Sequence, residues 1–283
     1  MNIQWFPGHM LETKKILKNS ISKVDAVLEI LDARLPVASE NPLVNHLCKD
    51  KTRIKVLNKS DLADPVTTQN WLSYFEHHRR LPAIAVCGNQ KNQVEKALQY
   101  CISRVTRNRA RKIKVIVVGI PNTGKSTILN TLVGKKIAKT GNVPAITRQQ
   151  QRTSLENNID IYDTPGILWP IIEPEKRAFI LAASGAISDT ALDYSQIGFF
   201  VAGLLLETYP DLLLERYTFL DHLPKDASDL IEKIGAARGC LNKGGIVNYQ
   251  KSAEILIRDL RSGKIGNISF ETPKDIESAN ETI

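Results

Sequence analysis

Long hydrophobic runs are missing from this 283-residue sequence. A membrane-spanning helix needs about 20 consecutive apolar residues. The most apolar stretch, IGFFVAGLLL at 197–206, is half that length and reads as a buried helix. The opening residues, MNIQWFPGHMLETKK, lack the basic, apolar and small order of a signal peptide. The four cysteines, Cys48, Cys87, Cys101 and Cys240, form neither a CxxC pair nor a regular framework. They read as scattered thiols of a reducing compartment. Repeats and low-complexity tracts are absent too. A soluble, cytoplasmic protein with no membrane partner is expected, long enough for about two domains.

Acidic residues are in short supply only in one part. Residues 1–175 hold 26 Lys and Arg against 15 Asp and Glu, a net +11; residues 176–283 hold 12 against 15, a net −3. A polyanionic partner would use such a basic excess, and a solvated surface would show it equally. Arg104, Arg107 and Arg111, in a segment read as helix over about 92–108, could line a phosphate-tracking stripe.

Four short β-branched runs, DAVLEILDA (25–33), TRIKVLNK (52–59), LPAIAVC (81–87) and KIKVIVVG (112–119), are bounded by turn residues. Such nearly continuous apolar strands suit a sheet buried on both faces. Helical segments lie between them, one opening at Asp64-Pro65 with a capping residue before proline. The alternation predicts βαβ units and a mostly parallel sheet. Two more strands should flank Asn157-Asn158, and everything after about 175 reads as helix. The expected division is an α/β domain over 1–175 and an all-α domain over 176–283.

The chemistry lies in the strand ends. GIPNTGKS (119–126) matches the phosphate loop G-x-x-x-x-G-K-S, between a strand and a helix as that loop requires. Backbone N–H groups from Asn122, Thr123 and Gly124 onward would cradle phosphates. Lys125 would reach the β/γ oxygens and Ser126 would face Mg²⁺, with Thr127 next to it. DTPG (163–166) follows another strand and places Asp163 toward the magnesium shell and the Gly166 N–H toward a γ-phosphate. Thr147 is the natural second hydroxyl for the metal. NKSD (58–61) ends the strand RIKVL. Asn58 can serve the acceptor edge of guanine, Lys59 can lay its stem along the ring, and Asp61 can accept its two donors; Ser60 completes the motif. This base-reading motif normally follows the phosphate loop, yet here it precedes it by some sixty residues. Four separately placed matches make the order a rewiring, not an accident.

In this order of motifs the chain resembles the circularly permuted GTPases. Within them it is similar to the ribosome biogenesis GTPase A (YlqF/RbgA) family. The resemblance covers WFPGHM (5–10), LDARLPVASENP (31–42), LNKSD, GIPNTGKST, DTPG, RGCLNKGG (238–245) and RDLRSGKIG (258–266). It implies a permuted Ras-like α/β domain followed by a helical domain. It further implies a GTPase, monomeric, that binds the large ribosomal subunit late in assembly. Two places depart from the family pattern. Ala145 stands where glycine is usual, and Val86-Cys87 stand where a loop toward guanine O6 carries a small hydroxyl residue.

Two residues carry further expectations. Asn122, fourth in the phosphate loop, is the position at which potassium-dependent GTPases have asparagine, which points to K⁺ as an activator. Ile167 occupies the place where Ras-like GTPases have a water-orienting glutamine, so another polar group must act. His9 is the candidate, on its side chain and on the family resemblance. A phosphate-loop kinase for small molecules would leave NKSD idle. A GTP-dependent protein-binding switch without RNA fits the motifs but not the basic excess.

Overall fold

The computed structural model describes residues 15, 17–106, 111–135, 151–155, 158–166, 168, 172, 174–187 and 193–281. Its contacts form two compact units, Met1–Ile172 with Glu271–Ile283, and Glu173–Phe270. The second unit is therefore an insertion in the chain of the first. The sequence had assigned everything after 175 to the second domain; residues 271–283 instead return to the first.

The first unit holds six strands, β1 (Ala26–Asp32), β2 (Thr52–Asn58), β3 (Ala83–Val86), β4 (Ile113–Val118), β5 (Gln151–Leu155) and β6 (Ile159–Asp163). Their order in the sheet is β3-β2-β1-β4-β6-β5. All pairs are parallel except β5 with β6, which is antiparallel. β1 is buried along its whole length, as its nearly continuous apolar run predicts. One face, through Leu28, Ile30, Val115 and Val117, packs on α3 (Lys91–Ile102) and α4 (Lys125–Val133). The opposite face carries Val27 and Leu31 in two separate clusters, the second built around Trp71, Tyr74 and Phe75. Those aromatics lie on α2 (Pro65–His77), which starts where the sequence predicts: Asp64 caps it by accepting from the Thr67 N–H at 2.6 Å.

Between these two clusters sits a buried polar group. Lys55 is fully buried and bridges Glu29, at 2.7 Å, to Glu40. A removed partner would leave an uncompensated interior charge, costing about 3–5 kcal/mol. A short helix, α1 (Pro42–Leu47), covers this group and carries no counterpart in the sequence reading.

The helix predicted over about 92–108 stops at Ile102. Arg104 N–H bonds Cys101 O and Val105 N–H bonds Ile102 O, so three-residue turns replace the helical ladder. The basic stripe is consequently not a helix face in this structure. Arg104 lies 4.6 Å over the Tyr100 ring, Arg111 pairs with Asp25, and Arg107 lies outside the described residues.

At the end of the first unit, Glu271 fastens the returning chain. Its carboxylate accepts the Val37 and Ala38 N–H groups at 2.5 and 3.0 Å, and its carbonyl accepts from Trp71 Nε1 at 3.1 Å. The helix that follows, α10 (Pro273–Glu281), adds Ile276 to the aromatic cluster.

The second unit contains α5 (Glu175–Ser184), α6 (Tyr194–Thr208), α7 (Pro210–Arg216), α8 (Ala227–Ala237) and α9 (Tyr249–Arg261). IGFFVAGLLL lies in α6 and buries Ile197, Val201, Ala202 and Leu205. Arg261 caps α5 by donating to the Ala182 and Ala183 carbonyls. Among the described residues, no single helix is long and apolar enough to cross a membrane.

Candidate functional site

Four of the five parallel strands of the first unit end their carboxyl side in one of the predicted motifs. β4 runs into Gly119, β2 into Asn58 and Lys59, β3 into Val86 and Cys87, and β6 into Asp163. β1 and β4 are neighbours whose onward connections run to opposite sides of the sheet, which makes the switch-point crevice where α/β sheets take ligands.

The base-reading motif and the phosphate loop are bonded to each other. Asn58 Nδ2 donates to the Thr123 carbonyl at 2.7 Å, although 65 residues separate them. An amide has two hydrogens, so the second remains for an acceptor edge. Gly124 takes a left-handed φ of +93°, and a Cβ there would stand 2.1 Å from Asn58 Nδ2. Only glycine fits this approach. Thr123 is buried, with its hydroxyl donating to Ile120 O at 3.1 Å. Asn122 bends the loop with a φ of +60°.

α4 begins at Lys125, so its first N–H groups face the loop. Lys125 is buried and donates to the Ile120 carbonyl at 2.7 Å. Burial pulls its pKa down from 10.5 to about 8, partly opposed by the Asp163 carboxylate and reinforced by Lys59. Ser126 and Thr127 follow in the first turn, both half-buried. Asp163 is buried at the end of β6, and the neighbouring Thr164 hydroxyl anchors that end by donating to Val117 O. Gly166 passes so close that a Cβ would lie 2.8 Å from the Pro121 backbone and 3.0 Å from Lys125 Nζ. Ser126 and Asp163 are hard oxygen donors, one a hydroxyl and one a carboxylate. That sparse set fits Mg²⁺, which keeps several waters and shares its site with substrate phosphates.

At the base end, Lys59 adopts a left-handed φ of +61° and its ammonium meets Asp32 at 2.8 Å. Ser60 N–H donates to Val86 O at 3.2 Å, tying the motif to β3. Asp61 is exposed at the rim. Burial raises the Cys87 thiol above its ordinary value, and the Asp61 carboxylate that it contacts adds to this. The Cys87 N–H is committed to Gln93 Oε1 at 2.7 Å. This loop offers no hydroxyl, and Asn58 Oδ1 is buried with no hydrogen-bond partner among the described residues. Gly88, which the sequence reading passed over, is the residue against which Asn58 packs: a Cβ there would stand 2.8 Å from Oδ1. His9 and Thr147 lie outside the described residues.

The family model for a 50S ribosome-binding GTPase matches residues 114–197, from the phosphate-loop strand onward. The ribosome biogenesis GTPase A of Priestia megaterium is 40% identical over 98% of this chain and 99% of its own. This chain belongs to the ribosome biogenesis GTPase A family. Two solved structures agree in fold. The GNP-bound YlqF of T. maritima has a TM-score of 0.68 at 29% identity, covering 93% of this chain and 98% of that one. The GDP-bound YlqF has a TM-score of 0.66 at the same identity, covering 92% and 100%. Membership explains the motif order: this is a circularly permuted P-loop GTPase domain, cut open so that its base-reading strands come first.

Proposed function

We propose that this GTPase is an assembly factor that acts on the large ribosomal subunit late in its biogenesis. The supporting observation is the bond between Asn58 and Thr123, which joins a guanine motif to a phosphate loop encoded after it. The partner is inferred from the names of the relatives and of the matching family model. The net +11 of residues 1–175 suits an RNA-rich partner.

In this reading Asn58, Lys59 and Asp61 take the base, with Ser60, Val86 and Cys87 shaping its slot. Asn122, Thr123, Gly124 and Thr127 line the phosphates, and Lys125 gives them its charge. Ser126 and Thr147, with Asp163 behind them, would hold Mg²⁺, which would neutralise phosphate charge when bound. Asn122 holds K⁺ as an activator. The Gly166 N–H senses the γ-phosphate, and the chain runs from there into the inserted helical unit, so γ-phosphate loss is transmitted to it. His9 orients the attacking water in place of the glutamine that Ile167 replaces. The protein works as a cytoplasmic monomer.

Turnover of GTP with and without purified large subunits tests this reading, alongside a panel of metabolites as phosphate acceptors. Stimulation by subunits and no phosphorylated metabolite is the expected result. Stimulation by a ribosome-free protein fraction alone would leave a protein-binding switch, and a phosphorylated metabolite would make it a kinase. His9→Ala is expected to bind GTP and subunits normally while losing most of the stimulated turnover.

A further inference from the structure

Asp32 and Arg34 lie in the stretch LDARLP, to which the nucleotide chemistry above assigns no role. Asp32 is the last residue of β1 and pairs in register with Asn58 on β2. Its carboxylate is buried and fully occupied. Oδ1 accepts from the Arg34 backbone N–H at 3.1 Å and from Arg34 Nε at 2.9 Å; Oδ2 accepts from Arg34 Nη2 and from Lys59 Nζ, both at 2.8 Å. Arg34 is itself buried, with a side chain only 2% exposed, so a second charge has been taken out of water to hold the first. Desolvation opposes the Asp32 charge, but Arg34 and Lys59 outweigh it and keep the carboxyl far below the usual carboxylate range. The Asp61 carboxylate also acts on Arg34, so the group reaches the residue that reads guanine donors.

Lys59 is thereby fixed at both ends. Its backbone is held in the left-handed region, and its ammonium is clamped 2.8 Å from Asp32. Its side chain as a whole stays 23% exposed. A lysine stem normally loses rotamer freedom when it is ordered. Here that loss is taken in folding and not on binding the nucleotide.

We propose that Asp32 and Arg34 are positioning residues for base recognition: they hold the Lys59 ammonium so that its aliphatic stem stands ready as one wall of the guanine slot. The inference rests on the guanine-nucleotide reading and deepens it. Because the clamp acts on the base side, its loss should weaken GDP and GTP alike and leave the hydrolytic step alone. A merely structural ion pair would instead lower melting temperature without changing affinity in the folded protein.

The test is a double-substitution cycle on the full chain, with GDP affinity and melting temperature measured by calorimetry in Mg²⁺. Asp32→Asn keeps shape and removes charge; Lys59→Met keeps the stem and removes the ammonium, and it remains informative if Asp32→Asn fails to fold. Each is expected to weaken GDP binding about tenfold, and Asp32→Asn is expected to keep saturated kcat within about twofold of native. The double variant is expected to be no weaker than the poorer single one, because both break the same contact. Native affinity in either folded variant, or additive losses in the double, would overturn the clamp. Failure of the native protein to bind GDP would instead overturn the guanine-nucleotide reading itself.

Discussion

Two lysines stand at the two ends of one crevice and are treated in opposite ways. Lys59, at the base end, is met by the Asp32 carboxylate, which Arg34 braces from its other side. Lys125, at the phosphate end, is buried against a backbone carbonyl, with Asp163 only partly offsetting the cost of that burial. The base end is charge-compensated before any ligand arrives, as suits a neutral, flat ring recognised by shape and hydrogen bonds. The phosphate end holds a cation at an energetic disadvantage, which an anionic ligand relieves. Specificity and affinity are thus built by different electrostatic means within one fold.

The largest expected effect comes from breaking the phosphate end. Lys125→Met should lose about 100-fold or more in GTP turnover, the scale for removing one donor from a transition-state charge. The same variant should be more stable than native without nucleotide. A lysine pulled from 10.5 to about 8 carries a burden of about 3 kcal/mol. Thermal or urea unfolding of the two proteins at pH 7 measures it.

The next effect is a pH signature of the same asymmetry. A base whose folded pKa is lowered binds fewer protons folded than unfolded between pH 8 and 10.5, so stability should rise with pH across that window. Phosphates should restore the Lys125 charge, so GTP binding above pH 8 should take up close to one proton. Calorimetry in buffers of different ionisation enthalpy counts it, and Lys125→Met should show none.

Much of this site was legible because its determinants are local. GIPNTGKS, DTPG and NKSD each sit within a few residues at a strand end, and the capping Asp64 lies beside its proline. The positions of β1 to β4 followed from nearly continuous apolar runs, since strands covered on both faces show little polar alternation to obscure them. What escaped depends on distance along the chain. Glu271 binds Val37 and Ala38 across more than 230 residues, and nothing near it marks that return. Asp32 and Arg34 stood in the family-like stretch LDARLPVASENP without a role until the register of β1 against β2 set them beside Lys59. Gly88 gained meaning only when Asn58 was found packed against it. α3 was overextended because the segment to 108 read as one helix, while the helical ladder ends with the Ser103 N–H and gives way to three-residue turns from Arg104.

The smallest expected effect concerns the monovalent ion. Hydrolysis should run several-fold faster in K⁺ than in Na⁺ at equal ionic strength, and Asn122→Ala should abolish the difference. Equal rates in both salts for the native protein would remove K⁺ from the phosphate end.

The central claim is that a base motif at 58–61 and a phosphate loop at 119–126 form one nucleotide site despite their inverted order. It is tested most directly by exchanging the nucleotide along with the residue. Asp61→Asn should lose most GTP affinity, since Asp61 alone accepts the two guanine donors, and should gain xanthosine triphosphate, whose C2 carries an oxygen. With saturating large subunits, this variant is expected to turn over xanthosine triphosphate at close to the native GTP rate, and GTP at the same concentration hardly at all. Undiminished GTP turnover by Asp61→Asn would contradict the account, because hydrolysis would then proceed without the motif that precedes its phosphate loop.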